Sequence, residues 1–178
     1  MIYILLADGF EEVEALGCCD ILRRAEIKTY LASIEGDYVE GSHKMTVKAD
    51  MLAKNIDFER VEGIVLPGGM PGTLNLQKNE TVLRLIDYCV KNDKLIGAIC
   101  AAPMILGDLG LLKGKKATCF PGFEENLTGA ELSGDFVVTD GNIITGKGAG
   151  AALMFGAAIA DYFKEGTGKR LLKQVQHI

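Results

Sequence analysis

Residues 94–106 read Lys94-Leu-Ile-Gly-Ala-Ile-Cys-Ala-Ala-Pro-Met-Ile-Leu106, and the interpretation of the whole chain begins here. The apolar run 95–99 predicts a buried strand. Residues 101–109 predict a helix that tolerates Pro103, because this proline falls in its first turn. Cys100 lies at the joint. A tight turn from strand to helix presents the side chain at its apex, which is the geometry of a nucleophile elbow with Cys in place of Ser.

Two interpretations of Cys100 are open at this point. The N-terminus of the following helix offers partial positive charge and free N–H groups, which would lower the pKa of the thiol and ready it as a nucleophile. The alternative is an inert structural cysteine, because free cysteines are among the most buried residues. An elbow without glycine requires a strained backbone, so the first interpretation predicts a positive φ angle at Cys100.

The composition excludes several classes of function. The 178-residue chain has a net charge of −5 and no basic cluster, which argues against nucleic acid or an anionic membrane as a partner. No stretch approaches the ~20 apolar residues of a membrane helix, and no signal peptide is expected. The five cysteines lack metal-binding spacing, so neither a metal site nor a disulfide framework is predicted. We expect a reducing, cytoplasmic setting.

Apolar runs alternate with helical patterns through residues 1–110. This alternation predicts βαβ units in a single domain spanning residues 1–178, with a mainly parallel sheet covered on both faces. The predicted strands are residues 2–7, 27–34, 63–66, 95–99, 117–120, 136–139 and 142–146, with a short β excursion over 35–47. The predicted helices are residues 11–25, 79–91, 101–109, 122–127, 149–164 and 169–175. Asp140-Gly141 predicts a hairpin turn, and residues 55–60 are expected to be irregular.

Ligands of such folds bind at the carboxyl ends of the strands, where three loops are expected to meet. These loops are residues 8–12, 67–72 and 99–102. The second contains the pair Gly68-Gly69, which either forms a simple turn or allows backbone N–H groups to approach a ligand closely. Together with the N–H of Ala101, these groups are predicted to form an oxyanion hole that faces the thiol.

Three glutamates follow the first predicted strand. Glu11 and Glu12 are explained by capping of the first helix, whose N-terminus favours acidic residues. Glu14 lies further along, beside Val13 and Leu16, on a helix that must face the sheet. A carboxyl buried there would have a raised pKa and could act as an acid, a base or a hydrogen-bond donor. The alternative is that Glu14 is a further capping residue.

Two other motifs are rejected. Residues 141–148 nearly match a phosphate-binding loop, but Gly148 stands where Ser or Thr is required and Gly141 belongs to a hairpin turn. A Cys–His catalytic pair would need a histidine base. The histidines are His43, in a polar turn, and His177, near the end of the chain, and neither is convincing.

Five segments, in the correct order, resemble the ThiJ/PfpI superfamily, and most closely its DJ-one-like branch, which is named after a parkinsonism-associated protein. The segments are Leu6–Glu14, Asp20–Arg24, Val65–Gly69, Ala98–Pro103 and Gly146–Gly150. The resemblance implies a homodimer and a flavodoxin-like three-layer α/β/α sandwich of the class I glutamine amidotransferase type. It also implies an oxidation-sensitive nucleophile at Cys100 and a protonated Glu14 that hydrogen-bonds its sulfur, without a cofactor. The pocket lining that it implies consists of Gly69, Ala101, Phe120, Gly148 and Ala149.

The sequence departs from this family at three positions. Phe120-Pro121 stands where the human member has a pocket histidine before proline, so the usual proton shuttle is missing. Ala101, rather than histidine, follows the nucleophile, which argues against peptidase activity. His43 aligns with an arginine that pairs with the equivalent of Arg24 near the dimer interface, so Arg24 and His43 are candidates for an anion site at the dimer edge.

The residues and the resemblance together predict an enzyme that acts on small reactive carbonyls such as methylglyoxal, or on glycated proteins and amines. Cys100 would attack the carbonyl carbon and Glu14 would shuttle protons, giving a 2-hydroxy acid or a repaired amine. The alternative is an oxidative-stress sensor or chaperone that acts through a Cys100 sulfinate. The lack of a histidine base disfavours a peptidase or amidase.

The first predicted helix, residues 11–25, is expected to form much of the homodimer interface. It carries more apolar surface than one face of a sheet needs. The apolar residues in question are Val13, Leu16, Gly17, Cys18, Cys19 and Ile21.

Overall fold

The computed structural model describes residues 1–177. The strands are β1 (Ile2–Leu6), β2 (Thr29–Ser33), β3 (Tyr38–Glu40), β4 (Thr46–Lys48), β5 (Met51–Leu52), β6 (Gly63–Leu66), β7 (Leu95–Ile99), β8 (Lys116–Ala117), β9 (Glu131–Leu132), β10 (Val137–Asp140) and β11 (Ile143–Gly146). The α-helices are α1 (Glu12–Arg24), α2 (Gly72–Lys78), α3 (Glu80–Lys91), α4 (Pro103–Asp108), α5 (Ala152–Phe163) and α6 (Thr167–Gln174).

Seven strands form the central sheet, in the order β10-β11-β7-β6-β1-β2-β5. Neighbouring strands are parallel except for the β10–β11 hairpin, which is antiparallel as predicted. The central strands β1, β6 and β7 are buried along their whole length, which explains why their sequences are continuous apolar runs. Their carboxyl ends meet at one edge of the sheet.

Helices cover both faces of the sheet, which confirms the predicted three-layer α/β/α sandwich. Alternate residues of β1 point into the two cores: Tyr3 and Leu5 pack with the residues of α2, α3 and α4, whereas Ile4 and Leu6 pack with those of α1, α5 and α6. Within residues 1–177, no helix combines the length and the apolar character needed to cross a membrane.

The helices α1 and α5 approach each other closely. A Cβ on Gly156 would lie 3.1 Å from Cys18 Cα and 3.1 Å from Ile21 Cβ. Glycine at this position therefore allows the two helices to pack against the same face of the sheet. This contact matters for the site, because α1 also carries Glu14.

Several apolar residues predicted for the dimer interface lie inside the chain instead. Cys18 and Ile21 are fully buried, and Cys19 is 5% exposed. Their assignment to an intermolecular surface is wrong, because they pack into the core between α1, α5 and the sheet. Val13 is 52% exposed and Leu16 is partly exposed, so these side chains form the outer face of α1.

Some predicted elements differ in length or type. The predicted strand 117–120 shrinks to the two residues of β8, which pairs with β9 outside the main sheet. The predicted helix 122–127 is a single 3-10 turn, Glu124–Asn126. The short α2 and the two-residue β5 were not predicted, because elements of this length show too little periodicity to be recognised.

Candidate active site

The elbow predicted at Cys100 is present. Cys100 follows the last residue of β7 and has a φ angle of 65°, in the left-handed region that non-glycine residues rarely adopt. Such a conformation costs about 1–3 kcal/mol and persists where the surroundings hold it. The N–H of Cys100 donates to Gly146 O at 2.9 Å, and its carbonyl accepts from the N–H of Phe120 at 2.9 Å. The turn is therefore held from both sides.

The loops that follow β1 and β6 pack directly against each other beside this elbow. The N–H of Glu11 donates to Gly68 O at 2.9 Å. Gly69 has a φ angle of 88°, and a Cβ at this position would lie 2.4 Å from Gly9 O. Glycine at position 69 is thus required both by its conformation and by the closeness of the two backbones.

Glu14 reaches the thiol from the first turns of α1. Its side chain is fully buried, and its Oε2 accepts a hydrogen bond from the N–H of Gly68 at 2.8 Å. A Cβ on Gly68 would lie 2.7 Å from this oxygen and 3.1 Å from Cys100 Sγ. The carboxyl and the thiol therefore converge on the space that Gly68 leaves open. The backbone N–H of Glu14 donates to Glu11 Oε2 at 2.7 Å, so Glu11 is the N-cap, as predicted.

The contact between the carboxyl and the thiol is close but not well aligned. Each group lies near enough to shift the pKa of the other. Yet Oε1 of Glu14 makes no hydrogen bond of ordinary length and angle within residues 1–177. Catalytic hydrogen bonds are often loose before substrate binds. Oε1 is therefore the oxygen that is available to carry a proton.

Two backbone N–H groups, those of Gly69 and Ala101, lie close enough to the sulfur of Cys100 to lower the pKa of its thiol, although burial outweighs them. They belong to the set predicted for an oxyanion hole. The N–H of Gly68 was also in that set, but it donates to Glu14 and so positions the carboxyl instead. The N–H groups of Gly69 and Ala101 therefore remain the candidate donors for an oxyanion beside Cys100.

Burial dominates the ionisation of both groups. It raises the pKa of Glu14 to about 7, against the lowering effect of hydrogen bonds from Cys100 and Gly68. Burial, followed by the charge of Glu14, raises the pKa of Cys100 to about 12. The prediction of a lowered thiol pKa is therefore wrong for the unliganded site. The helix α4 has six residues and begins at Pro103, so its N-terminal charge is too weak to offset burial.

At neutral pH the Cys100 thiol therefore keeps its proton, and the Glu14 carboxyl is about half ionised. Once Glu14 carries a proton, its repulsion of a thiolate disappears and it can donate a hydrogen bond to the sulfur. Transfer of a proton from the thiol to Glu14 would leave a thiolate beside a neutral carboxyl.

The predicted lining residues Phe120, Gly148 and Ala149 lie together on one side of the elbow. A Cβ on Gly148 would lie 3.1 Å from Phe120 Cδ2, so the ring packs over this glycine. With Phe136 and Lys147, these residues line a groove of about 300 Å³. Phe136 and Lys147 were not predicted to line a pocket, because in the sequence they are ordinary parts of a hairpin.

Arg24 and His43 do not form an anion site within one chain. Arg24 Nε pairs with Asp20 at 2.6 Å, near the end of α1. His43 Nδ1 contacts Glu12 Oε2 at 2.9 Å, at the start of the same helix. The rise of an α-helix separates residues 12 and 24 by about 18 Å. An anion site shared with a second copy of the chain stays a prediction.

Glu12 has a structural role that the sequence analysis missed. It is 1% exposed, and its oxygens accept hydrogen bonds from the His43 N–H at 2.8 Å, from His43 Nδ1 at 2.9 Å and from the Met45 N–H at 3.5 Å. Burial raises its pKa, but the hydrogen bonds from His43 and the backbone outweigh burial and leave the pKa lowered. Glu12 thus anchors the turn between β3 and β4 onto α1.

A parallel α/β sandwich with a cysteine elbow, a buried carboxyl and backbone donors defines the class of this protein. The chain belongs to the DJ-1/PfpI family, whose model matches residues 1–162. Protein DJ-1 homolog B of Arabidopsis thaliana is 37% identical over 164 residues, which cover 91% of this chain and 37% of that protein. The chain thus spans less than half the length of this plant relative.

Two further relatives match over nearly their whole length. A deglycase of Pyrococcus horikoshii is 31% identical over 149 residues, covering 82% of this chain and 89% of that protein. The solved structure of oxidized DJ-1 from Toxoplasma gondii superimposes with a TM-score of 0.93 at 30% identity, covering 98% of this chain and 97% of that chain.

Proposed function

We propose that this protein is an enzyme that converts small α-oxoaldehydes such as methylglyoxal to 2-hydroxy acids, or releases them from glycated amines. The observation that carries the proposal is the convergence of the Cys100 thiol with the buried Glu14 carboxyl, whose pKa is raised to about 7. A carboxyl with this pKa can take up and release a proton near neutral pH. The relative named as a deglycase supports the same class of substrate.

In the proposed reaction each of these groups has one role. The sulfur of Cys100 adds to the aldehyde carbon, and the carbonyl oxygen, held by the N–H groups of Gly69 and Ala101, takes a proton to give a hemithioacetal. Glu14 removes the hydrogen of this carbon as a proton and returns it to the neighbouring carbon, which yields the thioester of a 2-hydroxy acid. Water hydrolyses the thioester and restores the thiol. One carbon is oxidised and its neighbour reduced, so the step needs no external oxidant.

Lactate formation from methylglyoxal tests this proposal. The wild type and a Cys89→Ser variant, which alters a fully buried thiol in α3, are expected to produce lactate, whereas Cys100→Ser is not. In deuterated water, exchange of the Glu14 carboxyl proton with the solvent between the two transfers should place deuterium at the 2-position of the lactate. Equal lactate production by Cys100→Ser and the wild type would overturn the proposed mechanism.

A second candidate function is oxidative-stress sensing or chaperone action through Cys100. Cys100 is the partly exposed member of five free cysteines, and a similar solved structure is of an oxidized protein. Two molecules of peroxide would oxidise the thiol to a sulfinic acid and be reduced to water. Mass spectrometry after peroxide treatment should locate two added oxygens on Cys100, and not on the buried Cys89. The free thiols also favour a reducing cytoplasmic location, which we include in the proposal.

We also propose a homodimer through the outer face of α1. Val13 is 52% exposed on this face, beside the partly exposed Leu16. Light scattering is expected to give the mass of a dimer for the wild type and of a monomer for Val13→Asp. The matched control is Val90→Asp, which alters a valine 44% exposed on α3. A wild-type monomer at micromolar concentration contradicts this arrangement.

A further inference from the structure

The groove beside Cys100 is apolar and open to solvent. It has a volume of about 300 Å³ and lies between two phenylalanine rings and the segment 147–151. Phe120 is 47% exposed and Phe136 is 57% exposed. Large apolar side chains that are exposed singly need no explanation, but two that line one groove indicate a binding surface.

The groove is attached to the reactive residue through hydrogen bonds of the main chain. The N–H of Phe120 donates to the carbonyl of Cys100, and the N–H of Cys100 donates to Gly146 O, each at 2.9 Å. Phe120 forms one wall of the groove, and Gly146 comes directly before the segment 147–151 that forms its floor. Both residues are thus hydrogen-bonded to the backbone of Cys100. The groove therefore lies next to the backbone of the nucleophile.

The rings and the floor of the groove are held in defined positions. Lys147 donates its backbone N–H to Phe136 O at 2.9 Å, its Nζ donates to Gly134 O at 3.1 Å, and its Nζ lies 5.9 Å from the centroid of the Phe136 ring. The floor is open because Gly148 lacks the side chain that would press against Phe120, and a Cβ on Gly150 would meet no atom of the described residues within 4 Å.

We infer that this groove selects the substituent of the carbonyl substrate, and that Phe136 is a specificity-determining residue. The substrate class is then α-oxoaldehydes, or adducts derived from them, that carry an aromatic or branched apolar group rather than a methyl group alone. The inference rests on the proposed function. Its physical basis is that an apolar substituent covers the two exposed rings and is removed from water when Cys100 attacks the aldehyde carbon.

Turnover of phenylglyoxal and methylglyoxal tests this selection. The wild type is expected to show a kcat/KM for phenylglyoxal at least tenfold above that for methylglyoxal. Phe136→Ala should remove most of this preference, because it lowers the value for phenylglyoxal more than the value for methylglyoxal. The control Tyr162→Ala alters an aromatic residue that is 42% exposed on α5, outside the groove, and should keep the preference.

A second measurement does not depend on turnover. The rate at which Cys100 is alkylated by N-phenylmaleimide, divided by the rate for N-methylmaleimide, should fall at least fivefold in Phe136→Ala relative to the wild type and Tyr162→Ala. If the wild type turns over neither aldehyde but the ratio of alkylation rates falls in Phe136→Ala as expected, the proposed reaction is overturned. The groove is then still the surface that selects the substituent. A wild-type ratio of alkylation rates unchanged by Phe136→Ala overturns the inference. A change of oligomeric state in Phe136→Ala, with that ratio unchanged, would show that the groove is covered by a second copy.

Discussion

Replacement of Glu14 by glutamine isolates the proton of the buried carboxyl. Oε2 of Glu14 accepts from the N–H of Gly68, and the amide oxygen of a glutamine can accept the same bond. Within residues 1–177, Oε1 accepts no hydrogen bond of ordinary geometry, so an amide nitrogen in its place breaks no existing hydrogen bond. Glu14→Gln therefore imitates the protonated carboxyl and cannot ionise. A difference in stability or activity between the wild type and Glu14→Gln therefore reports on the ionisation of Glu14 more than on a change in side-chain shape.

The size of the effect follows from the pKa. Burial raises the pKa of Glu14 from its ordinary value of 4.5 to about 7, so the folded protein binds this proton more tightly than the unfolded chain does. The stability contributed by the protonated form is complete below about pH 4.5 and is lost as the pH rises through about 7. At 1.36 kcal/mol per pH unit, the loss amounts to about 3 kcal/mol.

Urea denaturation at pH 5, 7 and 9 measures this difference. We expect the free energy of unfolding of the wild type to fall, relative to Glu14→Gln, by about 3 kcal/mol between pH 5 and pH 9. Glu131→Gln is the control, because Glu131 is exposed on β9 and its replacement should leave the pH profile of the wild type unchanged.

Carbonyl turnover completes the test. Glu14→Gln should abolish lactate formation, because it cannot accept the proton that the reaction moves, while Cys100 should still be oxidised by peroxide. If the stability of wild type and variant differs by the same amount at every pH, Glu14 is not a buried ionisable group with a raised pKa. If the variant turns over methylglyoxal at the wild-type rate, the catalytic role of Glu14 is refuted.

Three further experiments, two on variants and one on thiol labelling, have defined expected outcomes. Glu12→Ala should lower the free energy of unfolding by about 2–3 kcal/mol in urea denaturation, because it leaves the N–H groups of His43 and its neighbours without an acceptor. Gly68→Ala places a Cβ 2.6 Å from Cys100 Cβ, so turnover and thiol alkylation should both fall more than tenfold, whereas Gly134→Ala, with nothing within 4 Å of the added Cβ, should change neither. Iodoacetamide followed by peptide mass spectrometry should label Cys100 before the buried cysteines, at a rate that rises about tenfold per unit from pH 7 to 9, because its pKa is about 12. First labelling of any other cysteine would show that the elbow does not present the thiol.

Local sequence patterns were sufficient to predict the parallel sheet and the elbow at Cys100. The apolar runs of β1 and β7 predict buried parallel strands, because strands covered on both faces have no polar side to alternate with. The positive φ angle at Cys100 was also predictable, since a strand turned into a helix there without a glycine to absorb the strain. These features depend on residues that are close together in the chain.

The ionisation of the site depended on contacts between distant segments. Glu12 and Glu14 lie two residues apart on α1, yet the turn after β3 supplies hydrogen bonds that lower the pKa of Glu12, whereas burial beside Cys100 raises that of Glu14. The same burial, and not the nearby helix terminus, sets the pKa of Cys100. The free energy of a buried charge depends on which donors reach it and how much water is removed, and both come from residues far away in the sequence.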